Sequence, residues 1–111
     1  MFVCFARSAL LLMSLAVAAA DLPTYALTVK GGYFQPTEIR VPAGQRFKIS
    51  VTNLGPGPEE FESLSLRKET VLAEGVTRSV VFAPLKKGRY DFFGEFHPDT
   101  AKGVIIVGGS T

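Results

Sequence analysis

Residues 46–53 read RFKISVTN. Phe47, Ile49 and Val51 fall on one side of an extended chain and Arg46, Lys48, Ser50 and Thr52 on the other, since side chains along a strand alternate with a period of two. One face therefore belongs to a core and the other to solvent. Working outward, EIRV (38–41) precedes the turn signal Pro42-Ala43-Gly44, and YALTVKG (25–31) alternates in the same way. TRSVVF (77–82), RYDFF (89–93) and GVIIV (103–107) continue the series, with PLKKG (84–88) as a turn before Arg89. Short strands punctuated by Gly and Pro, with little helical period, predict an all-β antiparallel sandwich. There is no internal repeat, so one domain from about Leu22 to Val107 is expected. The segment Glu59–Leu66 is less regular. With Phe61 facing the core, strict alternation puts Ser63 and Ser65 inside and Leu64 and Leu66 outside, and a bulge or bend near Ser63 is expected to resolve the conflict.

The chain begins MFVCFAR, continues with the apolar run SALLLMSLAVAAA, and reaches Asp21 through Ala18 and Ala20. A basic start, a short apolar stretch and a small-residue ending describe a secretory signal peptide over residues 1–20, leaving the domain at 21–111. Removing the first 20 of 111 residues leaves 91, enough for one small core. It also removes Cys4, Met1 and Met13, the only sulfur-containing residues, so neither a disulfide nor a sulfur ligand is available to the exported domain. The expected location is the periplasm, with no membrane anchor, because no cysteine follows the cleavage point. The formal charge falls from +2 to +1 with the loss of Arg7, which indicates no nucleic-acid footprint.

Two long stretches are similar to a known family. YFQPTEIRVPAGQRFKISVTN (33–53) resembles the N-terminal half of cupredoxin domains, in which F-x-P-x-x-I-x-V-P-A-G leads into a core strand ending in Asn. LKKGRYDFFGEFHPDTAKGVIIV (85–107) resembles their C-terminal half, where a G-x-Y-x-F strand opens a metal loop. The resemblance implies a Greek-key β-sandwich. In copper-carrying members it implies a His after the Asn-ended strand and then a Cys-x-x-His loop followed by Met. Those positions fall here at Glu59, Gly94, His97 and, near the Met, Ala101. Only His97 is retained, so the chain is not expected to be a blue-copper electron carrier.

PEEFES (58–63) and FFGEFHPDTAKG (92–103) narrow the resemblance to cupredoxin-like proteins of bacterial periplasmic iron-uptake systems, of the EfeO type, which work beside an iron permease. That implies an inner-membrane iron permease and other periplasmic uptake components as partners, and a Cu(II) or Fe ion as cofactor. The expected metal ligands are Glu59, Glu60 and Glu62 from one strand with Glu95, His97 and Asp99 from the loop, gathered at one end of the sandwich. Carboxylates with one imidazole suit Fe(III) or Cu(II) better than Cu(I). Hard oxygen ligands favour Fe(III) over Fe(II), so a ferroxidase-type activity is consistent with the set. Each residue also has a plain reading: solvated strand-start glutamates, a turn histidine, and Asp99 in the turn Pro98-Asp99-Thr100. A metal-free interaction module that docks a permease or another periplasmic partner is the alternative function. Phe92, Phe93 and Phe96 are expected to seal the core, with Tyr90 packed in the sandwich and Lys86, Lys87 and Arg89 forming a solvated turn.

Overall fold

A computed structural model of the chain describes residues 22–108; the leader assigned to residues 1–20 lies outside them. Among the described residues nine strands are formed: β1 (Thr24–Lys30), β2 (Tyr33–Gln35), β3 (Glu38–Val41), β4 (Phe47–Asn53), β5 (Glu59–Ser63), β6 (Lys68–Leu72), β7 (Thr77–Phe82), β8 (Gly88–Phe93) and β9 (Lys102–Val107). They make two sheets, a four-stranded one in the order β2-β1-β4-β7 and a five-stranded one in the order β3-β9-β8-β5-β6. Both are mixed: β1 runs parallel to β4 and β3 parallel to β9, while the remaining pairs are antiparallel. Such a β-sandwich agrees with the fold expected from the strand pattern, apart from the two parallel pairs.

The alternation read in β4 is the one observed, with Phe47, Ile49 and Val51 buried. Aromatic side chains from the two sheets interlock in the core. Phe34, Phe47 and Phe82 come from the four-stranded sheet, Phe61 and Phe92 from the five-stranded one. Phe34 and Phe92 meet edge to face at 5.1 Å between ring centroids, Phe61 and Phe92 lie 5.1 Å apart, and Phe47 stacks on Phe82 at 4.8 Å. These are separations at which aromatic pairs add to the free energy of area burial. Of the three phenylalanines expected to seal the core, Phe92 is buried, Phe93 half-buried and Phe96 47% exposed. Phe96 lies beyond the strand in a turn, where period-two alternation no longer positions it. Tyr90 packs against the core as expected, and its hydroxyl donates to the Lys86 carbonyl at 2.7 Å, tying the basic turn to β8.

Of the bulge or bend expected near Ser63, it is the bend that forms, and β5 itself is uninterrupted. Alternation runs through Glu59, Phe61 and Ser63 on the core side, and the strand ends at Ser63. The chain then turns over residues 64–67, with Leu64 left 70% exposed and Arg67 at φ +57°. A turn thus resolves the conflict, at the expense of burying the Ser63 hydroxyl without a hydrogen-bond partner among the described residues.

Candidate metal centre

Asn53, the last residue of β4, organises the approach to the site. Fully buried, it donates through Nδ2 to the carbonyls of Gly57 and Leu72 at 2.8 and 3.0 Å, and its Oδ1 accepts from the Gly55 amide at 2.7 Å. Every hydrogen-bonding direction of importance on this amide is used within the protein, as a buried polar group requires. The consequence is a fixed path for residues 54–58, which delivers the chain into β5 at Glu59.

Glu59 and Glu60 then diverge, because neighbouring residues of a strand point to opposite faces. Glu59 turns inward and is fully buried. Its Oε1 lies 3.0 Å from His97 Nδ1, and its Oε2 accepts from the Gly32 amide at 3.0 Å. An ionised carboxylate only accepts, so opposite it Nδ1 would be the nitrogen that carries the proton, and in the neutral ring Nε2 would be left as the acceptor. Gly32 holds this geometry through its lack of a side chain. At φ +84°, a Cβ there would come within 2.7 Å of His97 Cγ. Thr100 Oγ1 donates to the Gly32 carbonyl at 2.6 Å, fastening the loop to the β1–β2 turn a second time.

Glu60 and Glu62 face away from the core and gather with Glu95, one ligand atom from each lying within 4.8 Å of the others. Register explains the grouping. Glu62 pairs with Phe93 across β5 and β8, which brings Glu95 opposite Glu60 just beyond the end of the ladder. The Glu95 amide donates to Glu60 Oε1 at 2.7 Å. Although it faces outward, Glu60 is only 2% exposed. Burial, a hydrogen bond with Glu62 and the charges of Glu62 and Glu95 push its carboxyl up to about 7, against the opposing donation from the Glu95 amide. Glu69 of β6 stands directly across from Glu62, adding a fourth carboxylate to this face. Among the described residues no lysine or arginine forms an ion pair with any of the four.

The six expected ligands therefore divide. Glu59 and His97 form an inward pair, Glu60, Glu62 and Glu95 an outward trio, and Asp99 is exposed in the 95–100 turn outside both groups. Sequence reasoning missed Gly32 and Thr100, whose contacts join segments up to 68 residues apart. The Gly31-Gly32 pair between two alternating stretches was the available signal.

The copper site that the resemblance implies is not reproduced by this donor set. All four family positions converge: Glu59 meets His97, and the Gly94 amide donates to the Ala101 carbonyl at 2.9 Å. Yet a Cβ on Gly94 would lie 2.7 Å from the Glu60 carbonyl oxygen and 3.1 Å from Ala101 Cβ, so even the first atom of a cysteine side chain is excluded. With no thiolate, no thioether and a single imidazole whose Nδ1 is engaged, these residues do not fit a blue-copper ion. The outward trio of oxygens fits a hard or borderline cation.

Comparison with known proteins agrees with this architecture. The family model described as a cupredoxin-like domain matches residues 3–107. The uncharacterised protein RP394 of Rickettsia prowazekii (strain Madrid E) is 38% identical over 81 residues, which is 73% of this chain and 65% of that protein. The chain thus spans slightly less than two thirds of that relative. Among solved structures, reduced auracyanin from Roseiflexus castenholzii is similar with a TM-score of 0.65 at 15% identity, over 78% of this chain and 97% of auracyanin. The metal-binding domain of the Cu(I)-exporting ATPase CopA from Streptococcus pneumoniae D39 gives 0.68 at 17% identity, over 78% and 85%. The periplasmic domain of cytochrome oxidase subunit II from Bradyrhizobium japonicum gives 0.67 at 17% identity, over 81% and 86%. At these identities the structural likeness establishes the fold, while the family model covers nearly the whole described chain: the protein belongs to the family of cupredoxin-like domains.

Proposed function

We propose that this protein is a periplasmic metal-binding component of a ferrous iron uptake system, taking Fe or Cu(II) on the outward face through Glu60, Glu62 and Glu95. One observation carries the reading: three clustered carboxylates with no lysine or arginine ion-paired to them among the described residues, one of them pushed up to about 7. A multivalent cation would relieve the repulsion that a lysine or arginine elsewhere relieves. Oxygen donors favour Fe(III) over Fe(II), so Fe(II) held here gives up one electron more readily, to dioxygen or to a partner protein. The iron-system assignment rests on the resemblance of PEEFES and FFGEFHPDTAKG to iron-permease-associated proteins, with an inner-membrane permease as the partner. Export to the periplasm rests on the leader pattern of residues 1–20; among the described residues no helix is long and apolar enough to cross a membrane.

Isothermal titration of the purified protein with Fe(II), Fe(III), Cu(II) and Zn(II) tests the site. Wild type should bind at least one, and the variant E62Q/E95Q should bind it at least about tenfold more weakly. Equal affinity in the two proteins removes the assignment. Fe(II) oxidation at the rate of the buffer control removes the oxidase reading alone.

A specific observation favours the second reading, a metal-free docking module. The position that holds metal in copper-carrying relatives is filled by Glu59 and His97, which satisfy one another. Copurification with a permease in the presence of a chelator, unaffected by E62Q/E95Q, would support it.

A further inference from the structure

Glu59 carries two bonds to parts of the chain remote from it in sequence. Its Oε1 lies 3.0 Å from His97 Nδ1 and its Oε2 accepts from the Gly32 amide, also at 3.0 Å, and no part of the residue is exposed. Three segments meet on this one carboxylate: the β1–β2 turn at Gly32, the start of β5, and the loop from Gly94 to Ala101. That loop is closed on itself by donation from the His97 amide to the Gly94 carbonyl at 3.1 Å and from the Ala101 amide to the His97 carbonyl at 2.8 Å. We propose that the Glu59 carboxylate stands in place of a metal ion at this end of the sandwich, joining the three segments itself and holding the proton of His97 on Nδ1.

Three observations exclude an ion from the same place. Both carboxylate oxygens already have partners, and an ion displacing them would leave the buried Gly32 amide unpaired, a costly state. The neighbouring Gly94 has no room for a ligand side chain. The Gly32 backbone lies so close to the ring that a Cβ would collide with it, which leaves His97 little freedom to swing. The arrangement also has a consequence for binding: with Nδ1 donating inward, a ligand of this histidine must bind at Nε2, and Glu59 then acts as the positioning residue behind it. The 44% exposure of the His97 side chain leaves the ring accessible from outside. This inference does not depend on the acidic trio being a metal site.

His97 is the only histidine in the chain, so nitrogen-15 NMR of the imidazole reports on it without ambiguity. In the purified wild-type protein the neutral ring should carry its proton on Nδ1. In E59Q, whose amide can donate to Nδ1, the proton should move to Nε2, and hydrogen exchange at the Gly32 amide should quicken by about tenfold. Adding Zn(II) to wild type should leave the Nδ1 proton in place, whether zinc binds at the trio, at Nε2 or not at all. A wild-type ring protonated on Nε2 overturns the proposal, as does a tautomer unchanged in E59Q. Zinc that replaces the Nδ1 proton would show that the interior position accepts an ion, and overturns it too. Failure of zinc to bind E62Q/E95Q concerns the trio alone and is read from titration, so the two readings fail separately.

Discussion

Glu60 and Glu95 face one another where β5 and β8 part, and the Glu95 amide donates to Glu60 Oε1 at 2.7 Å. The bond holds a carboxyl that is almost wholly buried and flanked by two further acids, and its ionised form is correspondingly disfavoured.

Stability should therefore fall with rising pH across the range in which Glu60 titrates. Its carboxyl is raised from 4.5 to about 7 in the folded protein, so between those values the folded state binds more protons than the unfolded state. The stabilising contribution is fully present below the unfolded value and is lost as pH rises through about 7, amounting to on the order of 3 kcal/mol. Urea unfolding at about pH 5 and about pH 8 measures it. E60Q keeps an acceptor for the Glu95 amide but carries no charge, and its profile should be flat through this range. A wild-type profile as flat as that of E60Q would contradict the argument.

Restoring the family's cysteine should fail. In G94C the new Cβ meets the Glu60 carbonyl oxygen at 2.7 Å, and this is backbone that cannot step aside. Overpacking of this kind costs about 1–3 kcal/mol, visible as a lower urea midpoint. Addition of Cu(II) to G94C should give no intense blue absorption, since the thiolate would still lack a second free imidazole. An intense visible band would show that the loop opens readily.

G32A and G31A separate steric closeness from backbone strain. Both glycines have positive φ, but a Cβ at Gly31 meets nothing within 4 Å, whereas one at Gly32 strikes the His97 ring. G31A should cost about 1 kcal/mol, the penalty of a left-handed alanine, while G32A should cost about twice that or more. Equal midpoints for the two variants would remove the claim that Gly32 positions His97.

How much of this was legible in the sequence depended on distance along the chain. Alternation in RFKISVTN, TRSVVF and EIRV revealed strands because each pattern is local and one-sided. β6 was missed: KETVL places Val71 outward and Thr70 toward the core side, so its apolar residues do not repeat with a period of two. At the site, period two places Glu60 and Glu62 on one side of the strand and separates Glu59 from them once β5 is seen to begin there. The partners Gly32 and Thr100 were not legible, because bonds across 27 and 68 residues arise from tertiary packing that no local pattern encodes.

Asn53 should be among the most sensitive polar positions in the domain. N53A removes three hydrogen bonds from a fully buried group and leaves the Gly55 amide and two carbonyls to find other partners. At about 1 kcal/mol for each bond, with a further penalty for orphaned groups, the loss should reach about 3 kcal/mol. Because Asn53 also sets the path of residues 54–58, hydrogen exchange at the Gly55 and Gly57 amides should quicken with it. N53A with wild-type stability would show that the loop is held by the Glu74 carboxylate, which accepts from the Gly57 amide at 2.9 Å, instead.

Ser63 offers the opposite case, a buried polar residue whose removal should do no harm. Alternation from Phe61 carries its side chain to the core side, where the hydroxyl is fully buried and finds no partner among the described residues. An unsatisfied buried hydroxyl costs about 1–3 kcal/mol relative to a satisfied one. S63A deletes only the oxygen, leaving a small cavity whose penalty partly offsets the gain, so the variant should be as stable as wild type or more stable by about 1 kcal/mol. The urea midpoint decides the matter, and a loss of about 1 kcal/mol or more would mean that the hydroxyl has a hydrogen-bond partner in solution.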